Sequence, residues 1–516
     1  MVGVVILPEK IIEKLKNNIL PQMKICFWSA IIIGFIAHLY KITNWLPNWD
    51  SLVFRYDPQN MVAMGRWFLP IASAPSSFYD LPWITGLIAI LLYALGAVLI
   101  VRMFDVKKGL TAALIGGMIA SFPTVTSVMM YNYVADAYAL SFLLACIAAC
   151  LLTNKKPNYV LSIFLIALSV GIYQAYITVT IMLLLSFLIK ETYSSKTNVK
   201  DILIKCLKFL IVGGIGMVLY YLVLTIILKI TDTSLLDYQG FGDAAALSGI
   251  NVYASLYVIK ENFLRYFFNF SNSLNVFGII NLLIFVITVV LYAFDIIKNK
   301  LPVLKVLLLL VFVIFLPIGA GILAFVNSSI DYHNLMNMGF SAFYILFIIQ
   351  YEKTEFRRDK LNNIKLWTIF LLTAVLILNH IVIANVAYHK LNMAYEKSIG
   401  TLNRIADRIE QTDGSDSCDS ILVLGALEDS EEYSSYLSLD MTGTTDGHII
   451  RADDEIVGQS VLCSALNDYC GKNYKFLAGN EKEELLKQID EGSMDNWPGK
   501  NSIQINDNVI VIKLGD

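Results

Sequence analysis

A segment rich in acids, arginines and tryptophan separates the first two long apolar stretches of the sequence. It contains Trp49, Asp50, Arg55, Asp57 and Arg66. At a lipid–water boundary these residue types suit chemistry on a sugar attached to a lipid phosphate. A carboxylate accepts a proton from a hydroxyl, and guanidinium groups neutralise a phosphate. Interfacial tryptophans and loop arginines are also common membrane anchors. The combination of Asp50 with Arg55 and Arg66 in one loop, within about 10 residues of a membrane span, favours the catalytic interpretation.

Polar residues at the ends of other apolar stretches add sugar-binding candidates. Asp136 begins one stretch, where an acid is costly unless it faces the interior of the helix bundle. A favourable charge at a helix N-terminus explains the same residue equally well. Tyr173 and Gln174 lie at an inferred turn, where they either hydrogen-bond a sugar or only shape the turn.

Two basic residues are candidates for binding the donor phosphate. His333 follows an apolar stretch in the sequence Asp331-Tyr-His333-Asn334, and its alternative role is that of a solvated interfacial histidine. Arg265 lies in an amphipathic stretch that contacts either the lipid tail of a substrate or only the membrane surface.

The motifs of several enzyme classes are missing. The five histidines show no metal-ligand spacing apart from His380 and His389, nine residues apart. No nucleophile elbow and no phosphate-binding Walker loop occurs. The sequence therefore supports neither a hydrolase nor an ATPase, and it predicts no cofactor and no metal; a divalent cation has no support.

The composition is that of a membrane protein with a small soluble domain. Of the 516 residues 57% are hydrophobic and 16% are charged, against about 25% charged in soluble domains. Residues 1–390 contain 29 Lys and Arg against 18 Asp and Glu, whereas residues 391–516 contain 10 against 24. The acidic soluble part would repel nucleic acid.

The apolar stretches predict about eleven transmembrane helices, since about 20 residues span a bilayer. The stretch 158–190 would be about 50 Å long as one helix, so we expect two helices with a turn near Gly171. The remaining spans are expected at 24–42, 81–103, 109–130, 134–153, 202–230, 275–297, 302–325, 335–351 and 364–389.

The positive-inside rule orients these spans and defines three regions. Residues 1–23 form a cytoplasmic juxtamembrane amphipathic helix, and residues 24–390 form the multi-span domain with outer loops 43–80 and 231–274. Residues 391–516 form an acidic extracytoplasmic α/β domain. We expect its strands at 420–425, 475–478 and 509–513, and its helices at 391–411, 458–469 and 481–490.

Several short motifs, taken in order, resemble the bacterial Gtr-type (type II) glucosyltransferase-domain membrane proteins. The resemblance extends over almost the whole chain. The motifs are Asp50, Gly65-Arg66-Trp67-Phe-Leu-Pro70, Asp136-Ala-Tyr138-Ala-Leu-Ser141, Gly171-Ile-Tyr173-Gln174-Ala175 and the C-terminal Asn496-Trp497-Pro498-Gly-Lys-Asn-Ser502-Ile503.

This resemblance implies a polytopic GT-C-type glycosyltransferase of the bacterial plasma membrane. Such enzymes move a sugar, here a hexose such as glucose, from an undecaprenyl-phosphate carrier to a cell-surface polysaccharide on the outer face. The family pattern shows paired acids after the first span, whereas Asp50 stands alone between Trp49 and Ser51. The general base of an inverting reaction is therefore Asp50 or Asp57, and we favour Asp50.

A transporter or flippase of lipid-linked sugars is the alternative. Transport predicts charged residues deep inside the spans and a cavity that opens to both sides. Here the acids cluster at the outer ends of the spans, which favours the transferase.

Overall fold

The computed structural model describes residues 19–48, 50–51, 61–194, 197–236, 251–268, 276–354, 359–427, 455–489 and 491–515. These residues fall into two compact units. The first lies within Met1–Thr43, Pro58–Asn385 and Leu439–Gly443, and the second within Asn44–Asp57, Val386–Ser438 and Thr444–Asp516. The predicted helix at the start of the chain is almost entirely outside the described residues.

The described part of the first unit consists of helices and short 3₁₀ turns. The helices are α1 (Pro21–Thr43), α2 (Leu69–Ser73), α3 (Pro82–Met103), α4 (Gly109–Ser121), α5 (Pro123–Met130), α6 (Ala135–Thr153), α7 (Tyr159–Ile172), α8 (Ile177–Thr192), α9 (Val199–Ile230), α10 (Val252–Phe268), α11 (Val276–Lys298), α12 (Val303–Ala320), α13 (Ser341–Lys353) and α14 (Lys360–Glu410), the last of which continues into the second unit.

Nine of the helical segments in the described residues are long and apolar enough to cross a membrane. The chain is therefore a mostly helical, multi-pass membrane protein, as the sequence predicts. Two of the eleven predicted spans do not reach that length, because α7 has 14 residues and α13 has 13. The count of eleven and the orientation stay predictions.

The long stretch 158–190 is divided as expected. Helix α7 ends at Ile172, Tyr173 is extended with φ −153° and ψ 118°, and α8 begins at Ile177. The backbone N–H of Phe68 donates to the Gly171 carbonyl at 2.8 Å. This bond from another segment takes up one of the carbonyls that the end of α7 leaves without a helical partner.

Helix α14 is longer than any element that the sequence analysis separates. Its 51 residues include both the predicted span 364–389 and the predicted helix 391–411. No proline occurs in it, and Gly400 is its first glycine, so nothing in the local sequence ends the helix near residue 390. The predicted boundary at 390 and 391 falls inside this helix.

The second unit contains a four-stranded mixed sheet. Its elements are β1 (Ser420–Leu424), α15 (Glu455–Cys470), β2 (Lys475–Phe476), α16 (Gly479–Leu486), β3 (Ile503–Asn506) and β4 (Val509–Lys513). The strand order is β2-β1-β4-β3, with β2, β1 and β4 parallel and β3 antiparallel to β4. All five residues of β1 are buried, as a central strand covered on both faces requires. The sequence analysis does not predict β3.

Small residues let the first helices of the first unit approach closely. A Cβ atom added to Gly116 of α4 would lie 2.3 Å from the carbonyl oxygen of Cys26 in α1. Added to Gly86 of α3, it would lie 2.2 Å from the Ile42 side chain. Without a hydrophobic drive between helices in lipid, such contacts carry much of the packing energy.

We predict that Gly116→Ala destabilises the protein by about 1–3 kcal/mol, because the methyl group must displace the backbone of α1. The measurement is thermal unfolding in detergent. The matched control is Gly213→Ala, whose added Cβ has nothing within 4 Å and should leave the stability unchanged or raise it by up to about 1 kcal/mol. Equal melting temperatures for both variants would contradict this packing.

Candidate active site

The site is built on residues 61–68, which we call the arginine loop. Two side chains from other elements hold its backbone. The Gln174 amide Nε2 donates to the Met64 carbonyl at 2.8 Å, and the Tyr220 hydroxyl donates to the Gly65 carbonyl at 2.9 Å. The turn between α7 and α8 and the middle of α9 thus fix the loop conformation.

Two glycines make this arrangement possible. Gly65 has a φ of 77°, a conformation that favours glycine. A Cβ atom there would lie 2.8 Å from both the Gln174 amide nitrogen and the Tyr220 hydroxyl. At Gly171, an added Cβ would lie 2.7 Å from the Trp67 ring. The resemblance motifs around residues 65 and 171 therefore contain glycine for steric reasons.

The half-buried Arg66 side chain lies against two buried tyrosines. Its Nη1 donates to the Tyr138 hydroxyl at 3.1 Å, and its Cζ lies 4.9 Å from the centre of the Tyr173 ring. The two tyrosine rings stack, with centroids 4.8 Å apart and planes at 18°. A hydrogen bond and a cation–π contact thus orient the guanidinium group.

Arg66 and Arg265 both lie within electrostatic reach of His333. Burial lowers the pKa of His333 to about 4; Asp331 opposes this shift, and the positive charges of Arg66 and Arg265 reinforce it. His333 is therefore neutral at physiological pH. Its Nδ1 is buried and has no hydrogen-bond partner among the described residues. Arg265 donates to Asp331 Oδ1 at 3.4 Å and to the Tyr332 carbonyl.

Asp136 is buried at the start of α6, with 4% of its surface exposed. Its Oδ1 accepts the backbone N–H of Ala137 at 2.8 Å, and the Ser76 hydroxyl lies within hydrogen-bonding distance of the carboxylate. The carboxylate therefore sits inside the first unit, two residues before the tyrosine that contacts Arg66.

The structure describes only some of the candidates in the first predicted outer loop. Trp49, Arg55 and Asp57 lie outside the described residues. Asp50 is described and belongs to the second unit, where it and Ser51 have helical backbone. The catalytic roles of these residues stay predictions.

The structure thus brings together Arg66, Tyr173 and Gln174 through the arginine loop, and it places Arg66 and Arg265 within electrostatic reach of His333. It adds three residues that the sequence analysis does not select, namely Tyr138, Tyr220 and Asp331. The sequence analysis could have found Tyr138 and Asp331, since each lies two residues from a chosen candidate. Tyr220 carries no such signal, because it lies in the middle of an apolar helix.

This cluster is suited to an anion with several oxygen atoms. Two guanidinium groups and a neutral imidazole offer several hydrogen-bond donors to such an anion, although Tyr138, Asp331 and the Tyr332 carbonyl accept some of them. Within the described residues, no group of three or more His, Cys, Asp or Glu could hold a metal ion.

Comparison with known families identifies the chain. The model of the family described as glucosyl transferase GtrII matches residues 39–346, more than half of the sequence. The chain therefore belongs to this family, as its motifs predict, and the membership supports a role in glucosyl transfer. The match includes the arginine loop, Asp136, Tyr173 and His333. No curated protein and no solved structure matches the chain.

We predict that the stability of the first unit falls as the pH decreases from about 6.5 towards 4. The folded state disfavours protonation of His333, whereas the unfolded chain takes up a proton near pH 6.5, so acid favours unfolding. Thermal unfolding in detergent, measured across this range, should show a shallower decline for His333→Gln. The control His389→Gln removes an exposed histidine and should keep the wild-type slope. Parallel slopes for wild type and His333→Gln would contradict the buried, neutral state of His333.

Proposed function

We propose that this member of the glucosyl transferase GtrII family moves glucose from a polyprenyl-phosphate carrier to a cell-surface glycan. The reaction takes place on the outer face of the bacterial plasma membrane. The observation that carries the proposal is the Arg66 guanidinium, oriented by Tyr138 and Tyr173 and accompanied by His333 and Arg265. A lipid-linked sugar arrives already activated by its phosphate, so the enzyme needs a phosphate site rather than a nucleotide fold.

Arg66 binds the donor phosphate and stabilises the charge that develops on it as the sugar leaves. Such pre-oriented groups usually supply the largest share of catalysis, because they need not reorganise during the reaction. His333 in its neutral form donates one hydrogen bond to the same phosphate, and Arg265 adds a second positive charge. Arg55 belongs to the same set by its sequence position.

Asp50 is the general base, with Asp57 as the alternative. The carboxylate takes the proton of an acceptor hydroxyl, whose oxygen attacks the anomeric carbon from the side opposite the phosphate. The bond from that carbon to the phosphate oxygen breaks, its electron pair leaves with the polyprenyl phosphate, and the configuration inverts. The sugar transfer needs no oxidant, reductant or further reactant.

The remaining candidates contact the sugars or shape the site. Asp136 accepts hydrogen bonds from glucose hydroxyls, and Trp49 stacks on the donor or acceptor sugar. Tyr173 and Gln174 act next to the phosphate, because one lies against Arg66 and the other holds the arginine loop. We therefore assign them a positioning role in addition to the sugar contacts that the sequence suggests.

The test uses purified protein in liposomes with labelled undecaprenyl-phosphate glucose and a crude cell-wall glycan fraction outside. Wild-type protein should transfer label to the glycan. Arg66→Gln should lower kcat/KM by about 10²–10³-fold, the usual effect of removing one charge-stabilising donor. The control Arg102→Gln removes an exposed arginine and should behave as wild type.

The same assay distinguishes the role of Asp50 from that of Asp57, and a transferase from a flippase. Asp50→Asn should abolish transfer while the protein still inserts into the membrane, and Asp57→Asn should have a smaller effect. Near-normal turnover of Asp50→Asn would refute the base assignment. Label that crosses the bilayer but stays on its lipid would refute the transferase and favour the flippase.

A further inference from the structure

The segment that leads to Asp50 is packed into the second unit. Leu46 has 1% of its surface exposed and Asn48 is fully buried. The Asn48 Oδ1 accepts hydrogen bonds from the Ser51 backbone N–H at 2.9 Å and from the Ser51 hydroxyl at 2.7 Å. The chain is thus fixed both before and after Asp50.

Two tyrosines from distant parts of the sequence hold the start of this segment. The Trp45 ring meets Tyr395 of α14 edge to face, with centroids 5.5 Å apart and planes at 88°. It also lies 6.1 Å from the ring of Tyr469 in α15, and the two tyrosine rings are 6.5 Å apart. We call Tyr395 and Tyr469 the aromatic cradle. Aromatic pairs at these distances stabilise an arrangement beyond the area that they bury.

The cradle comes from a part of the chain that the family match does not include. Trp45 and Asp50 lie within the matched residues 39–346, whereas Tyr395 and Tyr469 lie beyond them. Residues of the second unit that lie outside the family match therefore hold a segment that lies inside it. Anchoring a sheet domain to a membrane does not require such a contact, because α14 already continues from one unit into the other.

We propose that the aromatic cradle is a positioning element for the general base, so that the second unit takes part in catalysis by holding residues 44–48, 50 and 51. This inference rests on the proposed function, in which Asp50 removes the acceptor proton. Asp50 lies five positions after Trp45, and the buried Leu46 and Asn48 fix the backbone at two points between them. A general base displaced by about 1 Å loses up to about 100-fold in rate.

The kinetic test uses the full-length protein in the liposome assay. Tyr395→Ala and Tyr469→Ala should lower kcat by about 10- to 100-fold. The KM for the donor should change by no more than about twofold, because donor binding does not involve the cradle. Tyr395→Phe keeps the ring and should restore most of the turnover. The control Trp497→Ala removes another aromatic side chain that packs against the core of the same unit, beside Arg404 and Arg408, and should retain its kcat.

A second measurement tests the cradle without relying on activity. Hydrogen exchange of the backbone amides of residues 44–51 should be faster in Tyr395→Ala and Tyr469→Ala than in wild type, and unchanged in Trp497→Ala. Faster exchange with an unchanged kcat would overturn the positioning role while the proposed function stands. An equal loss of kcat in Trp497→Ala would also overturn it. A wild-type protein without any transfer would instead remove the proposed function, and with it the catalytic meaning of the cradle.

Discussion

A positive charge in the interior of a membrane protein is costly unless polar or aromatic groups contact it. Arg66 meets this constraint through the hydroxyl of Tyr138 in α6 and the ring face of Tyr173 at the break between α7 and α8. Because the partners are neutral, the charge of Arg66 is oriented without being cancelled by them.

Much of the first unit around Arg66 serves to keep this arrangement in place. The arginine loop has little regular structure of its own, so its backbone carbonyls need donors from elsewhere. Gln174 and Tyr220 supply them, and the break at Tyr173 brings Gln174 to the loop. The broken helix and the loop therefore supply hydrogen-bond partners to one another.

The features that the sequence predicts well are those with a strong local physical signal. Length and polarity divide the stretch 158–190, and runs of β-branched residues mark β1 and β4. The features that the sequence does not predict depend on tertiary contacts. Tyr138 lies two residues from Asp136, but its role follows only from the hydrogen bond with Arg66, a residue 72 positions away in the chain. The short strand β3 pairs antiparallel with β4 across a tight connection, and its sequence Ile-Gln-Ile-Asn is too brief to stand out.

The candidate site likewise combines residues that the sequence reveals with contacts that it does not reveal. Asp50 and Arg66 are selected from the sequence because an acid and arginines near a span suggest phosphate and hydroxyl chemistry. The packing of Trp45 between Tyr395 and Tyr469 involves residues about 350 to 424 positions apart, which no local pattern reveals. The proposed site therefore depends on long-range contacts for its geometry, although the residues proposed to react are visible in the sequence.

The central claim is that Arg66 recognises the phosphate of a lipid-linked sugar. The most direct measurement compares the affinity of the purified protein for undecaprenyl-phosphate glucose with its affinity for a polyprenyl glucoside that lacks the phosphate. Wild type should prefer the phosphorylated lipid by about 10- to 100-fold, as expected for hydrogen bonds to a charged group, and Arg66→Gln should lose most of that preference. An unchanged preference in Arg66→Gln would contradict the account.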